Sequence, residues 1–468
     1  MLRQFATGLL LFLTLSCGAE APPPSILLFI IDTTRVDDAA LGDARLETAP
    51  YWQRLGEEGL VYTRSISQAP WTLPAHASML TGLLPSQHGV GWVSTRADDA
   101  LVTVTERLAE AGYRTLAVAE NPWLTPAFNL LQGFDQNVFI RQKGLTAEEA
   151  VADWLEQQPA GAPFFVLVNV VDPHAPYQGH EDCRLPGRLG LEEARAINPG
   201  TDPQFCVPVD PAEIEVMRTL HRCDLTLADE KLRRIHRLLS EQAPGLISIV
   251  TSDHGEHFGE HQLMSHQFSV RNELLAVPLV VHGLTGAAPA RIDALVGTSE
   301  LAPSILAWAG VSPLPGQEGR SLPTRPVAGS ERAVVSEYAD YVSLEASSGM
   351  GRRLLAAGRG LRSGCGPDQP VFGSMRSVIR YPHKAIQYSE YDAELFDLSA
   401  DPGETRNIAG ANRPLLEELL ALLPELDRVP NPSPEFRPEP PGEILESLEA
   451  LGYLEADEPD PSKDSGDE

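Results

Sequence analysis

The chain has 468 residues, of which 43% are hydrophobic and 22% are charged, and this length predicts one large α/β domain with a smaller domain attached. Its 65 acidic residues outnumber its 36 basic residues, which gives a formal net charge of −29 at pH 7. Because a surface of this sign repels polyanions, we expect no nucleic-acid partner.

The first 24 residues are typical of an export leader. Arg3 is followed by an apolar run from Phe5 to Leu15 that is too short to span a bilayer stably. Cys17-Gly18-Ala19 resembles a bacterial lipoprotein cleavage site, although ordinary cleavage nearby or an uncleaved anchor are alternatives. The leader predicts a protein exported to the cell envelope or periplasm and attached to the membrane through a lipid on Cys17.

Residues 25–325 show an alternation of apolar strands and amphipathic helices. Ser25 to Ile31 is a continuous apolar run bounded by prolines and by Asp32, as in a strand buried on both faces of a parallel sheet. The strands predicted after it are Thr115–Ala119, Phe164–Val171 and Leu246–Thr251, and the predicted helices are Thr103–Ala111, Ala147–Gln157 and Ala212–Leu239. This order predicts a doubly wound, mostly parallel sheet flanked by helices, with ligands at the strand ends.

Residues 326–425 change to shorter strand-like pieces. Ala333–Tyr338 and Ser377–Tyr388 are predicted to be extended, and Arg413–Leu423 to be helical, which together indicate a smaller α+β subdomain. Residues 426–468 follow as a proline-rich linker, a short amphipathic helix at Glu443–Leu451 and an acidic tail at Glu455–Glu468.

Four cysteines remain if Cys17 carries a lipid: Cys183, Cys206, Cys223 and Cys365. In an oxidising compartment, Cys183 and Cys206 could close a loop. Spacing leaves the connectivity open.

Two predicted strands end in groups that suit a hard cation. Asp32 follows the first strand, and Asp253-His254 follows the strand Leu246–Thr251. Carboxylates with one imidazole can hold a divalent ion, although a lone strand-end aspartate more often caps a turn or helix. His257 or His261 could hold a second ion together with Asp172, but a loop position is the simpler interpretation of both histidines.

A hydroxyl lies between these acids in the sequence, at the start of a predicted helix. Thr72 comes just before Pro74, and the helix continues through His76 in the segment Ala69–Val90. Backbone N–H groups at a helix start attract anions, so a Thr72 nucleophile there could meet a tetrahedral oxyanion. The alternative is that Thr72 is only an N-cap.

The segment resembles the signature of the sulfatase family of the alkaline-phosphatase superfamily, in which a Cys-x-Pro-x-Arg motif is followed by Ala-Ser-Leu-Leu-Thr-Gly and His-Gly-Val. Further blocks resemble the family in the family order, over roughly residues 25 to 410: Ile31–Arg35, Gly112–Thr115, Asp172–Tyr177, Thr251–His261, Pro303–Val311, Glu318–Leu322 and Leu395–Asn407. The resemblance implies the fold predicted above and a hydrolase that acts on sulfate or phosphate esters.

The resemblance also implies roles for individual residues. Asp32, Asp253 and His254 would hold one divalent metal ion, Ca²⁺ or Mg²⁺ by the family pattern, with Mn²⁺ or Zn²⁺ compatible with a threonine. Thr72 would be the nucleophile and a metal contact, and His174 would contact the substrate oxyanion or the leaving group. Further substrate contacts are expected from His266, in the place of a family lysine, from His76 and from Asn121.

Three positions depart from the family pattern. Thr33 replaces a second aspartate, His76 replaces the arginine, and Thr72 replaces the cysteine that is oxidised to formylglycine. The aldehyde hydrate lets a sulfated intermediate expel sulfate, whereas a sulfated threonine must be hydrolysed directly. A phosphothreonine can be attacked in line by water or an alcohol, so phosphate esters become equal candidates.

Three functions remain open at this point. The first is hydrolysis of sulfate or phosphate esters of a small molecule, glycan or lipid. The second is transfer of a phosphoryl-linked head group in the cell envelope, since related threonine-bearing branches of the superfamily resemble such transferases. The third is an inactive binding lipoprotein.

Overall fold

The computed structural model describes residues 22–39, 41, 48–91, 94–187, 189–197, 206, 210–317, 320–327, 332–340, 349–425 and 440–454. The leader with Cys17, most of the linker after Leu423 and the acidic tail Glu455–Glu468 lie outside these residues, so those predictions stay predictions. Among the described residues, no helix combines the length and the apolar character needed to cross a membrane.

An eight-stranded sheet forms the centre of the molecule, with the order β10-β2-β9-β6-β1-β5-β3-β4. Its strands are β1 (Ile26–Ile31), β2 (Leu60–Ile66), β3 (Arg114–Ala119), β4 (Gln136–Phe139), β5 (Phe164–Val170), β6 (Ile247–Thr251), β9 (Leu279–His282) and β10 (Ala290–Gly297). Neighbouring strands run parallel except at β9, which is antiparallel to β2 and to β6. The predicted doubly wound, mostly parallel sheet is therefore confirmed.

Successive side chains of β1 enter two different cores. Leu28 packs in one hydrophobic cluster, whereas Leu27 and Phe29 pack in another on the opposite face of the sheet. All six residues of the strand are fully buried. When helices cover both faces of a strand, no side chain faces solvent and no alternation of apolar and polar residues is needed. This explains the continuous apolar run.

Ten helices precede the second sheet in the described part of the chain. They are α1 (Pro50–Glu57), α2 (Thr72–Thr81), α3 (Pro85–His88), α4 (Val104–Glu110), α5 (Ile140–Lys143), α6 (Ala147–Glu156), α7 (Leu191–Ile197), α8 (Pro211–Gln242), α9 (Asn272–Leu275) and α10 (Leu301–Trp308). The predicted long helix is α8, which begins at Pro211 behind the N-cap Asp210. Two short strands, β7 (His257–Phe258) and β8 (Met264–Ser265), pair in a hairpin beside the main sheet.

The C-terminal region forms a smaller antiparallel sheet in the order β11-β12-β13-β14. Its elements are β11 (Val334–Tyr338), α11 (Gly349–Leu361), β12 (Met375–Arg380), β13 (His383–Tyr388), β14 (Glu394–Asp397) and α12 (Arg413–Leu420). The piece predicted as one extended run at Ser377–Tyr388 is wrong in detail, because a turn at Tyr381-Pro382 divides it into β12 and β13. Proline has no N–H for a sheet ladder, which favours the turn there. The exact boundary between residues 325 and 326 stays a prediction.

The last described helix, α13 (Gly442–Ala450), appears where a short amphipathic helix was predicted. The disulfide bonds differ from the suggested Cys183–Cys206 loop. Cys183 pairs with Cys223, and Cys206 pairs with Cys365. That suggestion is wrong because pairing follows the fold, which brings α8 to the loop after β5, and spacing along the chain does not reveal this.

Candidate active site

Four neighbouring strands of the main sheet end at the same edge, and each delivers a polar side chain there. Asp253 and His254 follow β6, Asp32 follows β1, His174 follows β5 and Asn121 follows β3. Because these strands are parallel, their carboxyl ends meet, as expected for a ligand site in an α/β sheet. Residues spread over more than 220 positions are thereby brought together.

Thr72 enters this edge as the first residue of α2. The N-cap of the helix is Trp71, and no side chain caps it, so the alternative that Thr72 is only an N-cap is wrong. Its hydroxyl Oγ1 lies 3.3 Å from Nε2 of His254 and accepts a hydrogen bond of 3.3 Å from Nδ2 of Asn121. The side chain is fully buried, so these contacts fix its direction.

Electron-pair donors converge beside this hydroxyl. Nδ1 of His254 contacts the carbonyl oxygen of Gly255 at 3.0 Å; a carbonyl only accepts, so Nδ1 carries the proton. The lone pair of Nε2 then faces Oδ1 of Asp32 at 3.7 Å and Oδ2 of Asp253 at 3.5 Å. Within the described part of the chain, neither carboxylate oxygen has a well-formed hydrogen bond.

Burial shifts the pKa of all three members of this cluster. Loss of water and the charge of Asp253 raise the pKa of Asp32 to about 6, and burial raises the pKa of Asp253 to about 7. Burial and the neighbouring His266 lower the pKa of His254 to about 3, which keeps its imidazole neutral. One ligand atom of each of these three residues lies within 4.8 Å of the others, so the two carboxylates and the neutral imidazole could together hold a cation.

The donor set therefore fits a divalent ion. At the place suggested for a second ion, Oδ2 of Asp172 lies 2.8 Å from the ammonium of Lys231. His261 instead lies 3.6 Å from Glu273. In the residues described, no group of three potential ligands joins Asp172 to His257 or His261.

His76 lies one helical turn after Thr72, on the carboxylate side of the site. Its Nδ1 donates to the backbone oxygen of Thr72 at 2.9 Å and lies 3.6 Å from Oδ2 of Asp253. Burial lowers its pKa to about 4. A substrate-binding role for His76 stays a prediction, and the contacts that the structure gives it are with Asp253 and Thr72.

The opposite side of the Thr72 hydroxyl is formed by His174 and His266. Nδ1 of His174 contacts the carbonyl of Ala175 at 2.6 Å, and Nδ1 of His266 contacts Oε1 of Glu256 at 3.1 Å. The Ala175 carbonyl can only accept, so Nδ1 of His174 carries a proton, and the Nε2 atoms of both rings turn inward. They meet at one oxygen, the hydroxyl of Tyr453, at 3.2 and 3.4 Å.

Two residues of this arrangement were not predicted as site residues. Glu256 is fully buried, contacts His266 and accepts a hydrogen bond of 3.2 Å from Tyr177; burial raises its pKa. Its place in the loop after Asp253-His254 was the available signal. Tyr453 follows the helix predicted at Glu443–Leu451, but nothing in the sequence indicated where the end of that helix docks.

The chain is similar in sequence to known sulfatases and phosphatase-superfamily proteins. The sequence model of the family described as Sulfatase matches residues 24–311. An ulvan-active sulfatase of Formosa agariphila is 24% identical over 436 residues, which cover 84% of this chain and 78% of that protein. A multifunctional alkaline phosphatase superfamily protein, PehA of Trinickia caryophylli, is 23% identical and covers 64% of this chain and 76% of its own length.

Solved structures share the fold. A phosphonate monoester hydrolase of Silicibacter pomeroyi superposes with a TM-score of 0.63 at 20% identity, covering 86% of this chain and 94% of that chain. A putative sulfatase of Bacteroides thetaiotaomicron superposes with a TM-score of 0.64 at 19% identity, covering 94% and 96%. The central sheet, its helices and the smaller antiparallel sheet are thus those of known ester hydrolases.

Proposed function

The chain belongs to the sulfatase family, and we propose that it is a metal-dependent hydrolase of phosphate and sulfate esters with Thr72 as its nucleophile. The family and its structural neighbours indicate an ester-hydrolysing enzyme. They disfavour the inactive binding lipoprotein, and the complete set of polar groups around Thr72 does so too.

One observation carries the proposal: the Thr72 hydroxyl is held at a helix start between an amide and a cluster of buried electron-pair donors. Asn121 donates through Nδ2 to Oδ2 of Asp32 at 2.8 Å and to Oγ1 of Thr72 at 3.3 Å. This shared donor orients the hydroxyl toward the space that an ester would occupy. A nucleophile needs this orientation before its proton is removed.

The metal ion would be held by Asp32, Asp253 and His254, with Thr72 beside it. When bound, such an ion lowers the pKa of a neighbouring hydroxyl and offsets charge on the ester oxygens. The chain contributes a buried cradle held by hydrogen bonds: Asp253 accepts from the backbone N–H of His254 at 2.9 Å, and Asp32 accepts from Asn121. Ca²⁺, Mg²⁺, Mn²⁺ and Zn²⁺ all remain compatible with these ligands.

His174 and His266 are proposed to contact the transferred group or the leaving group. Their Nε2 atoms already converge on one oxygen, and a protonated imidazole there would donate to a phosphoryl oxygen or to a departing alkoxide. Glu256 would hold the His266 ring in place through its contact with Nδ1, while burial and the neighbouring His174 lower the pKa of His266 well below its ordinary value.

Phosphate esters are the preferred substrates in this proposal. A threonine cannot form the aldehyde hydrate that releases sulfate without attack on sulfur. A phosphothreonine can be hydrolysed in line by water in the same site. We therefore expect kcat/KM for a phosphate ester to exceed that for the sulfate ester of the same phenol.

The test uses 4-nitrophenyl phosphate, its phosphodiester and its sulfate with metal-replete protein. Mass spectrometry of acid-quenched protein should find a phosphoryl group on Thr72 of the wild type and none in Thr72→Ala. A sulfate preference together with full activity of Thr72→Ala would overturn both the nucleophile and the phosphate preference.

Transfer to an acceptor alcohol is a second candidate, favoured by one observation. The Tyr453 hydroxyl stands 3.0 Å from Oγ1 of Thr72, so an alcohol oxygen fits beside the nucleophile. A covalent adduct on Thr72 that is released only when an acceptor alcohol is added would favour transfer over hydrolysis.

Export to the cell envelope is part of the proposal, supported by the leader pattern and by two disulfides, which persist in oxidising compartments. A lipid on Cys17 would place the site near envelope glycans and lipids. The mass of the mature N-terminus from cells, with and without Cys17→Ser, tests the lipid anchor.

A further inference from the structure

The C-terminal segment, residues 442–454, closes the active site from outside the main sheet. Helix α13 ends in a turn in which the N–H of Gly452 donates to Glu449 and the N–H of Tyr453 donates to Leu448, at 2.9 Å each. Gly452 has φ +77°, a conformation that glycine adopts without steric cost. This helix ending reverses the chain and directs Tyr453 toward Thr72.

The Tyr453 hydroxyl takes the contacts that an ester oxygen would need. It lies 3.0 Å from Oγ1 of Thr72, 3.2 Å from His174 and 3.4 Å from His266. Its ring packs edge-on against Trp123 with centroids 5.5 Å apart. Tyr453 is 3% exposed, and Thr72 is fully buried.

An ester and this phenol exclude each other. The central atom of a substrate must stand about 3–3.5 Å from the attacking oxygen before reaction, and the Tyr453 oxygen already stands 3.0 Å from Oγ1 of Thr72. Both histidines that would contact the transferred group are also engaged by the same phenol. A catalytic role for the hydroxyl would require it to share this space with the tetrahedral group.

The C-terminal segment is packed as an intramolecular ligand. Its apolar side chains Ile444, Leu448, Leu451 and Leu454 are buried in the hydrophobic core that also contains Trp123 and Leu354. Glu449 forms an ion pair with Arg353 of α11, and Gln142 donates to Glu443 at 3.0 Å. The contacts outside the catalytic residues therefore hold Tyr453 in place.

We propose that the C-terminal segment is a built-in inhibitor, in which the Tyr453 phenol occupies the position of the ester's transferred group beside Thr72 and must withdraw before substrate reaches Thr72. The inference rests on the proposed function for the identity of the substrate, but not for the occupancy of the site. The Arg353–Glu449 ion pair, here called the latch, holds the C-terminal segment against α11 and lies away from the reacting groups.

The experiment compares full-length variants by two measurements: calorimetric titration with inorganic phosphate, at one fixed divalent-cation concentration, and kcat/KM with 4-nitrophenyl phosphate. Tyr453→Gly vacates the oxygen position, and Tyr453→Phe removes only the hydroxyl. Glu449→Arg breaks the latch without touching the site. Glu446→Arg makes the same charge change at an exposed position of the same helix and is the matched control.

If the closed form holds about 90% of the molecules, its loss tightens apparent phosphate binding and raises kcat/KM by about tenfold. We expect this from Tyr453→Gly, a smaller gain from Tyr453→Phe and Glu449→Arg, and no change from Glu446→Arg. Exchange of the two charges, Arg353→Glu with Glu449→Arg, should restore the wild-type values.

Two results would overturn the proposal. Lower phosphate affinity and lower kcat/KM in Tyr453→Gly and Tyr453→Phe would make Tyr453 a catalytic residue. Unchanged phosphate affinity in both Tyr453→Gly and Glu449→Arg would show that the C-terminal segment does not obstruct the site. Tighter phosphate binding without hydrolysis of any ester would support the inhibitor while removing the proposed hydrolase function.

Discussion

Two buried clusters of ionisable side chains meet at the short helix α9 and differ in how their charges are balanced. In the first, Asp32, Asp253 and His254 face one another, and the loop that carries Asp253 and His254 is fixed by the N–H of Gly255 donating to Leu274 at 2.8 Å. In the second, Lys384 of β13 donates to Glu404 at 2.7 Å and to Asn272 of α9 at 2.8 Å.

The second cluster contains its own cations. Arg271 lies 3.5 Å from Glu404 and 2.7 Å from Glu394, and Lys384 is fully buried, so each charge has an opposite partner. The first cluster has two carboxylates and no cationic side chain among its members. A complete cluster joins two parts of a fold, whereas an incomplete one marks the place of a ligand.

The largest expected effect removes the nucleophile beside the incomplete cluster. Thr72→Ala should lower kcat/KM by about ten-thousandfold or more, because the covalent route is lost, while Thr72→Ser keeps partial activity. The thermal midpoint of unfolding should stay near that of the wild type. A Thr72→Ala variant that is unfolded rather than inactive would contradict the separation of catalysis from stability.

Breaking the complete cluster should lower stability and leave catalysis nearly unchanged. Lys384→Met leaves the buried Glu404 with only the more distant Arg271 as a cationic partner and should lower the free energy of unfolding by about 3 kcal/mol. The kcat of the remaining folded enzyme should change little. In denaturant titrations, the double variant Lys384→Met with Glu404→Gln should be more stable than Lys384→Met alone; an equal or larger loss would contradict the charge argument.

Removing one carboxylate of the incomplete cluster should abolish cation binding without unfolding the protein. Asp253→Ala should lower activity by about a hundredfold or more and abolish the rise in thermal midpoint that an added divalent ion gives the wild type. Glu256→Gln, which alters the contacts of Glu256 with His266 and Tyr177 but removes none of the three proposed ligands, should retain that rise and cost less activity. Equal and mild losses from both variants would remove the metal assignment.

The smallest effect concerns a buried histidine outside both clusters. Nδ1 of His88 accepts from the N–H of Val90 at 3.0 Å, and its other nitrogen contacts Ser78; burial lowers its pKa to about 3. The unfolded chain takes up a proton near pH 6.5, so stability is complete above that pH and falls below it.

At pH 5 this loss should reach about 2 kcal/mol. His88→Asn keeps an acceptor for Val90, so the difference in unfolding free energy between pH 7 and pH 5 should shrink by about that amount. An identical pH dependence in wild type and variant would show that His88 is protonated equally in both states.

The sequence was sufficient for the four central strands β6, β1, β5 and β3 and for the acids at their ends, whereas β2, β4, β9 and β10 were not predicted. Apolar runs such as Ile26–Ile31 leave one interpretation, a strand buried on both faces, and the polar residue after such a run must lie at the strand end. The proposed metal ligands Asp32, Asp253 and His254 were found by that logic. Thr72 followed from its place at a helix start.

The positions of His174 and His266 depend on backbone conformations that the sequence pattern does not predict. His266 lies between Ser265 and Gln267, both with positive φ of 65° and 94°, which ordinary residues seldom adopt. Its contact with Glu256 follows from that turn. Tyr453 approaches Thr72 across 381 positions, a separation at which helix patterns show where a segment ends but not which surface it covers.

Because the chain is made from the N-terminus, Tyr453 is synthesised after the whole main sheet. The region matched by the family ends at residue 311, and Tyr453 follows it by 142 positions. At synthesis rates of roughly 5–20 residues per second, that interval lasts roughly 7–28 s. A nascent chain that folds its main sheet early would therefore hold an open site for several seconds, and closure would be the last step of its maturation.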